Sequence, residues 1–199
     1  MNRGRLPWLA PSDLDDEQRR VYDLIVGGPR SQSTRASALV DELGRLEGPF
    51  NAMLVDPTVG EAVQNLGAVI RYSTNLAART REIAILVVAG SAKSNFEWHA
   101  HAHLGRAAGI TEGELAAILE EREAPTFDET ERLVWQVARM LVTNRDLDDE
   151  TFARAESELG LTVMMDLVVL VGYYELLARS LRVWRTPLPE GVDPQFDPY

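Results

Sequence analysis

Apolar residues recur every three to four positions along almost the whole chain, and no segment shows the strict alternation that is typical of a β-strand. Stop signals such as Gly27-Gly28-Pro29, and helix starts such as Asp56-Pro57, divide this pattern into segments. The sequence therefore predicts an all-α fold that forms one domain over residues 1–199. We expect helices at residues 15–26, 37–46, 56–73, 75–89, 94–108, 111–122, 128–142, 148–159 and 162–181.

The charge and composition limit the classes of partner. The formal net charge of −11 disfavours binding to nucleic acid and to anionic lipid, because both attract a basic surface. The first residues contain no apolar signal-peptide region, and the longest apolar run, residues 167–174, is too short to span a bilayer. We therefore expect a cytoplasmic protein with no nucleic-acid or membrane partner. The chain has no cysteine, which excludes the nucleophilic, redox and disulfide chemistry of thiols.

All three histidines of the chain, His99, His101 and His103, lie in one predicted helix. Histidine is the side chain whose ordinary pKa permits proton transfer near neutral pH. Projected at about 100° per residue, His101 and Glu97 lie on one flank of the apolar face, with Ser94 one turn earlier, and His99 and His103 point the opposite way. The apolar face itself is expected to pack in the core, and it consists of Phe96, Ala100, Leu104 and Ala107.

Each of these polar residues also has an interpretation without chemistry. Ser94-x-x-Glu97 matches a capping box, in which the serine begins a helix and the glutamate bonds back to it. His101 would then be a core histidine bonded to Glu97. His99 and His103 have the spacing of zinc ligands, but no glutamate follows His99, so a solvent-facing pair or a pair at a subunit contact is the simpler interpretation.

Glu82 lies near the first turn of a predicted helix that is apolar all round at residues 83–89. The positive end of the helix dipole stabilises a carboxylate at this position. A carboxylate beside a buried face must nevertheless find a partner or raise its pKa. We expect His101 or Arg71 to be that partner.

The spacing of four of these residues resembles that of the carboxymuconolactone decarboxylase family, which shares an all-helical fold with the alkylhydroperoxidase D-like proteins. Ser94, Glu97 and His101 follow Glu82 by twelve, fifteen and nineteen residues. The flanking segments that also agree with the family are residues 48–54, 170–174 and 187–189.

The resemblance covers residues 40 to 190 and implies the organisation of the chain. The expected parts are an N-terminal extension (1–40), a family-like core (40–185) and an extended C-terminal tail (186–199) that could wrap a neighbouring subunit. The family further implies a homo-oligomer, a trimer or a hexamer. The tail and the apolar helix at 162–181 are the expected subunit contacts.

The resemblance also implies a chemistry. Two cysteines of the peroxidase branch occupy the positions of Ser94 and Glu97, so a thiol peroxidase mechanism is excluded for this chain. What remains is a lyase or isomerase that acts on a small organic acid or lactone, with no cofactor and no metal. His101 would transfer the proton, and Glu97 or Glu82 would orient the imidazole of His101. Ser94 would donate a hydrogen bond to the carboxylate or enolate of the substrate.

The expected substrate-binding residues are Arg71, to neutralise a carboxylate, and Phe50, Tyr72 and Trp98 as walls. Two alternatives from other classes stay open at this point. One is a non-catalytic oligomeric protein that binds a small molecule, with Ser94 and Glu97 only capping a helix. The other is a metal-dependent enzyme that uses His99 and His103.

Overall fold

The computed structural model describes residues 4–32 and 39–197, and in these residues the only β-structure is one isolated bridge, between Val40 and Leu46. The predicted all-α fold is therefore confirmed. The helices are α1 (Asp16–Val26), α2 (Pro57–Tyr72), α3 (Ala78–Ser91), α4 (Asn95–Ala107), α5 (Glu112–Leu119), α6 (Glu129–Thr143) and α7 (Asp149–Trp184), with 3-10 turns at Pro11–Asp13, Pro29–Gln32 and Gly48–Leu54.

Side-chain caps begin most of these helices at the positions that the sequence indicates. In each case a carboxylate or hydroxyl of the residue before the helix accepts a hydrogen bond from a backbone N–H of the first turn, which would otherwise lack a partner. The capping residues are Asp15 for α1, Asp56 for α2, Thr111 for α5, Asp128 for α6 and Asp148 for α7.

The helix predicted at 37–46 is wrong over the residues that the structure describes; residues 37 and 38 lie outside them. The carboxylate of Asp41 accepts hydrogen bonds from the backbone N–H groups of Leu43 and Arg45, at 2.9 and 3.0 Å. Such local bonds offer the backbone an alternative to a helix. Gly44 adopts φ +76°, which is outside the right-handed helical region. The segment is therefore a turn closed by the Val40–Leu46 bridge.

Helix α3 is the centre of the fold. Its residues from Glu82 to Ala89 are all buried, and it packs against α4, α5, α6 and α7. A helix that is surrounded in this way must be apolar all round, as its sequence is. The three-residue connection between α3 and α4 turns the chain back, so that α4 packs on α3.

Helix α4 does not bury the face that the projection predicts. Phe96, Ala100 and Leu104 are only half-buried, and Ala107 is exposed, so the prediction of a core face is wrong. The side chains of Trp98 and Ala102 are the buried apolar ones instead. The reason is that the predicted face borders a cavity, described below, rather than the packed core.

Helix α7 joins the two helices predicted at 148–159 and 162–181 across Gly160, whose φ of +81° and ψ of 157° break the helical geometry. By length and composition alone α7 could cross a membrane, which the shorter apolar run at 167–174 did not suggest. Its buried side packs against α3 and α6. A stripe of apolar side chains stays exposed on its other side, and it comprises Leu161, Met165, Val168 and Leu176.

Three helices of the core are joined by one arginine. Arg79, in the first turn of α3, donates from Nε to Glu131 of α6 at 2.5 Å and from Nη2 to Glu114 of α5 at 2.7 Å. Nη1 donates to the carbonyl of Gly109. Burial alone would raise the pKa of Glu114, but the hydrogen bonds from Arg79 and two threonines lower that pKa to about 2. Glu114 is therefore ionised at neutral pH.

We expect Arg79→Met to destabilise the protein by about 2–4 kcal/mol, because it leaves two buried carboxylates without their cation. The matched control is Arg106→Met, since Arg106 pairs with Glu112 on an exposed surface and such pairs contribute about 1 kcal/mol or less. Urea unfolding at pH 7 measures both variants. The difference between Arg79→Met and the wild type should shrink as the pH falls from 4.5 towards 2, because Glu114 loses its charge there. Equal losses of stability in both variants would contradict the role of the cluster.

Candidate functional site

Glu82 holds a negative charge inside the protein. Its carboxylate is 2% exposed, and Oε2 lies 2.7 Å from Nδ1 of His101. Burial would raise the pKa of Glu82, but His101, Arg71 and Arg81 together lower it below its ordinary value. Glu82 is therefore ionised, and both partners proposed from the sequence, His101 and Arg71, contact it.

His101 is a neutral imidazole with a fixed tautomer. A carboxylate can only accept, so Nδ1 carries the hydrogen and donates it to Glu82. Burial lowers the pKa of His101, and although Glu82 raises it, the net direction is downward. Nε2 is then the unprotonated nitrogen and can act as a base. The ring of Tyr174 packs edge-on against the imidazole, with 5.0 Å between centroids.

Arg71 connects α2 to this pair. Its Nη1 lies 3.5 Å from Oε1 of Glu82 and donates to the hydroxyl of Tyr174 at 3.2 Å. Burial would lower the pKa of Arg71, but Tyr174 and Glu82 raise it above its ordinary value. The guanidinium therefore remains a fixed cation, and its attachment to Tyr174 of α7 completes a chain of polar contacts through four helices.

Glu97 is a buried carboxyl group without a partner. It is 3% exposed, and neither of its oxygens makes a hydrogen bond. Burial raises the pKa of Glu97 to about 8, and the nearby Ser94 hydroxyl opposes this only in part, since the two groups do not reach hydrogen-bond geometry. Glu97 is therefore protonated at neutral pH. The chain thus places a neutral acid one helical turn before a neutral base.

The capping box that Ser94 and Glu97 could form is absent. Ser94 does precede α4, but its hydroxyl accepts no hydrogen bond from the helix and has no partner. Its backbone N–H donates to the carbonyl of Ala89 at 2.9 Å, so this N–H is not available to Glu97. His101 is bonded to Glu82 rather than to Glu97. The interpretation of Glu97 as a helix cap is therefore wrong.

A cavity of about 110 Å³ lies against this group of residues. Five of the side chains that were expected to form the site line it: Phe50, Arg71, Tyr72, Glu97 and His101. Sequence reasoning missed four further polar side chains on the wall, Arg30, Glu47, Tyr173 and Tyr174. The two tyrosines belong to the segment 170–174 that carries part of the family resemblance, which was the available signal for them.

The other expected site residues lie off the cavity wall. Glu82 stands behind His101, and Ser94 is buried beside Glu97. Trp98 does not line the cavity, which corrects its prediction as a wall, because it lies on the opposite side of α4 and packs against Phe196 at 6.0 Å between centroids.

His99 and His103 also lie away from the cavity, on the outer side of α4. His99 is half-buried, and its Nε2 has no hydrogen-bond partner, whereas His103 is exposed. Within residues 4–32 and 39–197, no three histidine, aspartate or glutamate side chains come together as a metal-binding group would require.

The C-terminal tail folds onto its own chain. The side-chain amide of Asn95, the first residue of α4, donates to the carbonyl of Phe196 at 3.0 Å and accepts from its N–H at 2.8 Å. Together with the contact between Phe196 and Trp98, these bonds attach the tail to the start of the helix that carries Glu97 and His101.

Three solved structures share this fold. The debrominase Bmp8 is 15% identical, covers 92% of this chain and 91% of its own, and gives a TM-score of 0.68; a variant of it forms a complex with 2,3,4-tribromopyrrole. An alkylhydroperoxidase AhpD core protein from Ralstonia eutropha is 12% identical over 94% of this chain and 93% of its own, with a TM-score of 0.71. A protein of unknown function from Agrobacterium tumefaciens is 19% identical over 72% of this chain and 99% of its own, with a TM-score of 0.63.

A match at the level of sequence is found with a family and not with single proteins. No curated protein matches the chain. Residues 57–140, from the start of α2 almost to the end of α6, match the sequence model of the Carboxymuconolactone decarboxylase family. This segment contains Arg71, Glu82, Glu97 and His101. The resemblance to this family is therefore confirmed over residues 57–140, and the chain has an alkylhydroperoxidase D-like helical fold.

Proposed function

We propose that the protein is a cofactor-free lyase or isomerase that transfers a proton to or from carbon in a small organic acid or lactone. One observation carries this proposal: a neutral imidazole and a neutral carboxylic acid, His101 and Glu97, line the same cavity one helical turn apart. Burial raises the pKa of Glu97 and lowers the pKa of His101, so at neutral pH Glu97 can act as the acid and His101 as the base. Residues that serve only the fold would not require a buried carboxyl without a partner.

The roles follow from the protonation states. In an isomerisation, Nε2 of His101 takes a proton from the carbon next to the substrate carbonyl, and the bonding electrons move to the carbonyl oxygen to give an enolate. The imidazolium that forms is stabilised by Glu82. Glu97 then donates its proton to another carbon of the enolate, and the proton on His101 returns to Glu97 through solvent, which restores the site.

A decarboxylation uses the same groups with one step fewer. The bond to the carboxyl carbon breaks, CO₂ leaves, and the electron pair forms the enolate. Glu97 supplies the proton to carbon and recovers one from water. Arg71 faces the cavity as a fixed cation and stabilises the carboxylate of the bound substrate and the developing enolate. Ser94 is buried next to Glu97 and off the cavity wall, so it is not placed to donate a hydrogen bond to the substrate.

A non-catalytic protein that binds small molecules is the second candidate. Arg71 and the unpartnered Glu97 could hold a small acid without any reaction, and the Bmp8 complex with 2,3,4-tribromopyrrole indicates that this fold accommodates a small organic molecule. The two candidates differ in one measurable property, which is whether the protein moves a proton on carbon.

We expect His101→Gln to lower proton transfer by ~10²–10⁴-fold, the usual effect of removing a general acid or base. The assay is deuterium incorporation, followed by NMR, from D₂O into a panel of small carboxylic acids and lactones. The matched control is the double variant His99→Gln/His103→Gln, which changes two histidines of the same helix outside the cavity and should keep the wild-type rate.

The same assay separates the candidates. Loss of activity in the double variant, together with inhibition of the wild type by chelators, would favour the metal-dependent alternative. If the wild type exchanges deuterium into no compound but binds some of them through Arg71, the protein is a binding protein. In that case His101→Gln would alter stability alone.

We expect Glu97→Gln to reduce activity and to increase stability. At pH 7 the unfolded chain ionises Glu97, whose ordinary pKa is 4.5, while the folded protein keeps the proton up to a pKa of about 8. Folding must therefore take up a proton, which costs up to about 3 kcal/mol at pH 7. Glutamine removes this cost, so the gain should be largest near pH 8 and should disappear towards pH 4.5.

The control for this variant is Glu114→Gln, the same substitution at a carboxylate whose pKa is lowered. Glu114→Gln should destabilise the protein at pH 7, whereas Glu97→Gln should stabilise it. Thermal unfolding between pH 4.5 and 8 measures both variants. A loss of stability in Glu97→Gln at pH 7 would show that Glu97 is a structural residue.

We also propose that the protein is a homo-oligomer, a trimer or a hexamer, with the exposed apolar stripe of α7 at a subunit contact. Four large apolar side chains are exposed along this helix, and exposed apolar surface of this kind is what interfaces bury. We expect Met165→Glu with Val168→Glu to dissociate the assembly. Sedimentation measures the mass, and Val59→Glu on α2, an equally exposed apolar position, is the control. A wild type that sediments as a monomer of 22.1 kDa at micromolar concentration would refute this proposal.

A further inference from the structure

A second concavity lies next to the cavity that holds Glu97 and His101. We call it the outer groove; its volume is about 740 Å³. Apart from Phe96, its lining comes from parts of the chain outside the family segment 57–140, namely the N-terminal extension, residues 40–48 and the start of the tail. Its apolar lining consists of Trp8, Val40, Leu43, Pro187, Leu188 and Pro189.

Two side chains, Phe96 and Glu47, line both the inner cavity and the outer groove. Phe96 therefore stands at the boundary between the two spaces, and it immediately precedes Glu97 in α4. The ring is seated on Gly48, where a Cβ atom would lie 2.5 Å from its Cζ atom. Gly48 also has φ +62°, a conformation that favours glycine. The backbone at Gly48 thus makes room for Phe96 between the two spaces.

The two spaces differ in charge. The inner cavity has the cations Arg71 and Arg30 on its wall, which suit the carboxylate of a ligand. Among the residues that the structure describes, Arg45 is the one cation that lines the outer groove, and it is paired with Asp41 at 2.5 Å. Glu42, Glu47 and Glu190 also line the groove, and none of these three forms an ion pair with the described residues. A second carboxylate in the groove would therefore be repelled, whereas an apolar chain would be accepted by the lining.

We propose that the substrate is a monocarboxylic acid with an extended apolar tail, whose carboxyl end lies in the inner cavity and whose tail passes Phe96 into the outer groove. Phe96 then determines which tails are accepted. This inference rests on the proposed function, because it takes the inner cavity as the site of the acid group. It assigns a role to the N-terminal extension and to the tail, which the chemistry of Glu97 and His101 does not require.

Calorimetric titration with butanoate, hexanoate, octanoate and decanoate tests the proposal. Each methylene that leaves water should tighten binding about fourfold. We expect the affinity of the wild type to rise over the whole series. Phe96→Trp should reduce the affinity for decanoate at least about tenfold more than the affinity for butanoate, because the larger ring narrows the passage. The matched control is Phe152→Trp, at an exposed phenylalanine that lines neither space.

Octanedioate tests the charge of the groove at constant chain length. It should bind at least about tenfold more weakly than octanoate, and Glu47→Gln should narrow this difference while Glu156→Gln, at an exposed glutamate elsewhere, should not. Equal or tighter binding of the diacid would overturn the proposal. So would an affinity that stays flat beyond butanoate, or a Phe96→Trp variant that weakens all four acids equally.

The outcomes also separate this proposal from the proposed function. Suppose that butanoate binds the wild type but not Arg71→Met, and that the affinity of the wild type does not change with chain length. This result would support the inner site and refute the role of the outer groove. If none of the acids binds the wild type, both proposals fail.

Discussion

The buried negative charge of Glu82 is the constraint on which the site depends. A carboxylate at 2% exposure is tolerated only because charged and hydrogen-bonding partners surround it. These partners come from different helices: Arg71 from α2, Arg81 from α3 itself and His101 from α4. Arg71 in turn is bonded to Tyr174 of α7. The charge therefore fixes how four helices sit around the cavity, and it also fixes the tautomer of His101 that the chemistry needs.

Three helices, α4, α5 and α6, are each preceded by a serine, threonine or aspartate that is followed three positions later by glutamate, and only in α5 and α6 does this pair cap the helix. In Thr111-x-x-Glu114 and Asp128-x-x-Glu131, the glutamate accepts from the N–H of the first residue, at 2.8 and 3.0 Å. In Ser94-x-x-Glu97, the preceding connection bonds the N–H of Ser94 to Ala89. Glu97 therefore has no donor left. The pattern alone cannot distinguish these cases, because the difference lies in a backbone hydrogen bond from outside it.

Local sequence signals predict most of the helices, but they do not predict which side chains from distant helices meet at the cavity. Caps and stop residues located the helices, and the nineteen-residue spacing brought Glu82 and His101 together because a short connection folds α4 back on α3. The projection of α4 assigns Phe96 to the packed core, because a projection of one helix does not reveal that a cavity takes the place of a packing partner. For the same reason it does not reveal that Trp98 lies off the cavity wall. No local pattern indicates Tyr174 as a wall, because it lies more than seventy residues beyond His101 in the chain, and the family resemblance of residues 170–174 is the one signal for it.

The unpartnered carboxyl of Glu97 persists because its helix cannot relax around it. The start of α4 is held from two sides, by the backbone bond from Ser94 to Ala89 and by the paired bonds between Asn95 and Phe196. With the backbone fixed there, the carboxyl group of Glu97 stays at the cavity wall, and burial keeps it protonated. The fold thus maintains a local cost in stability at the position where an acid faces the cavity, and such a cost is typical of sites that serve a ligand rather than the fold.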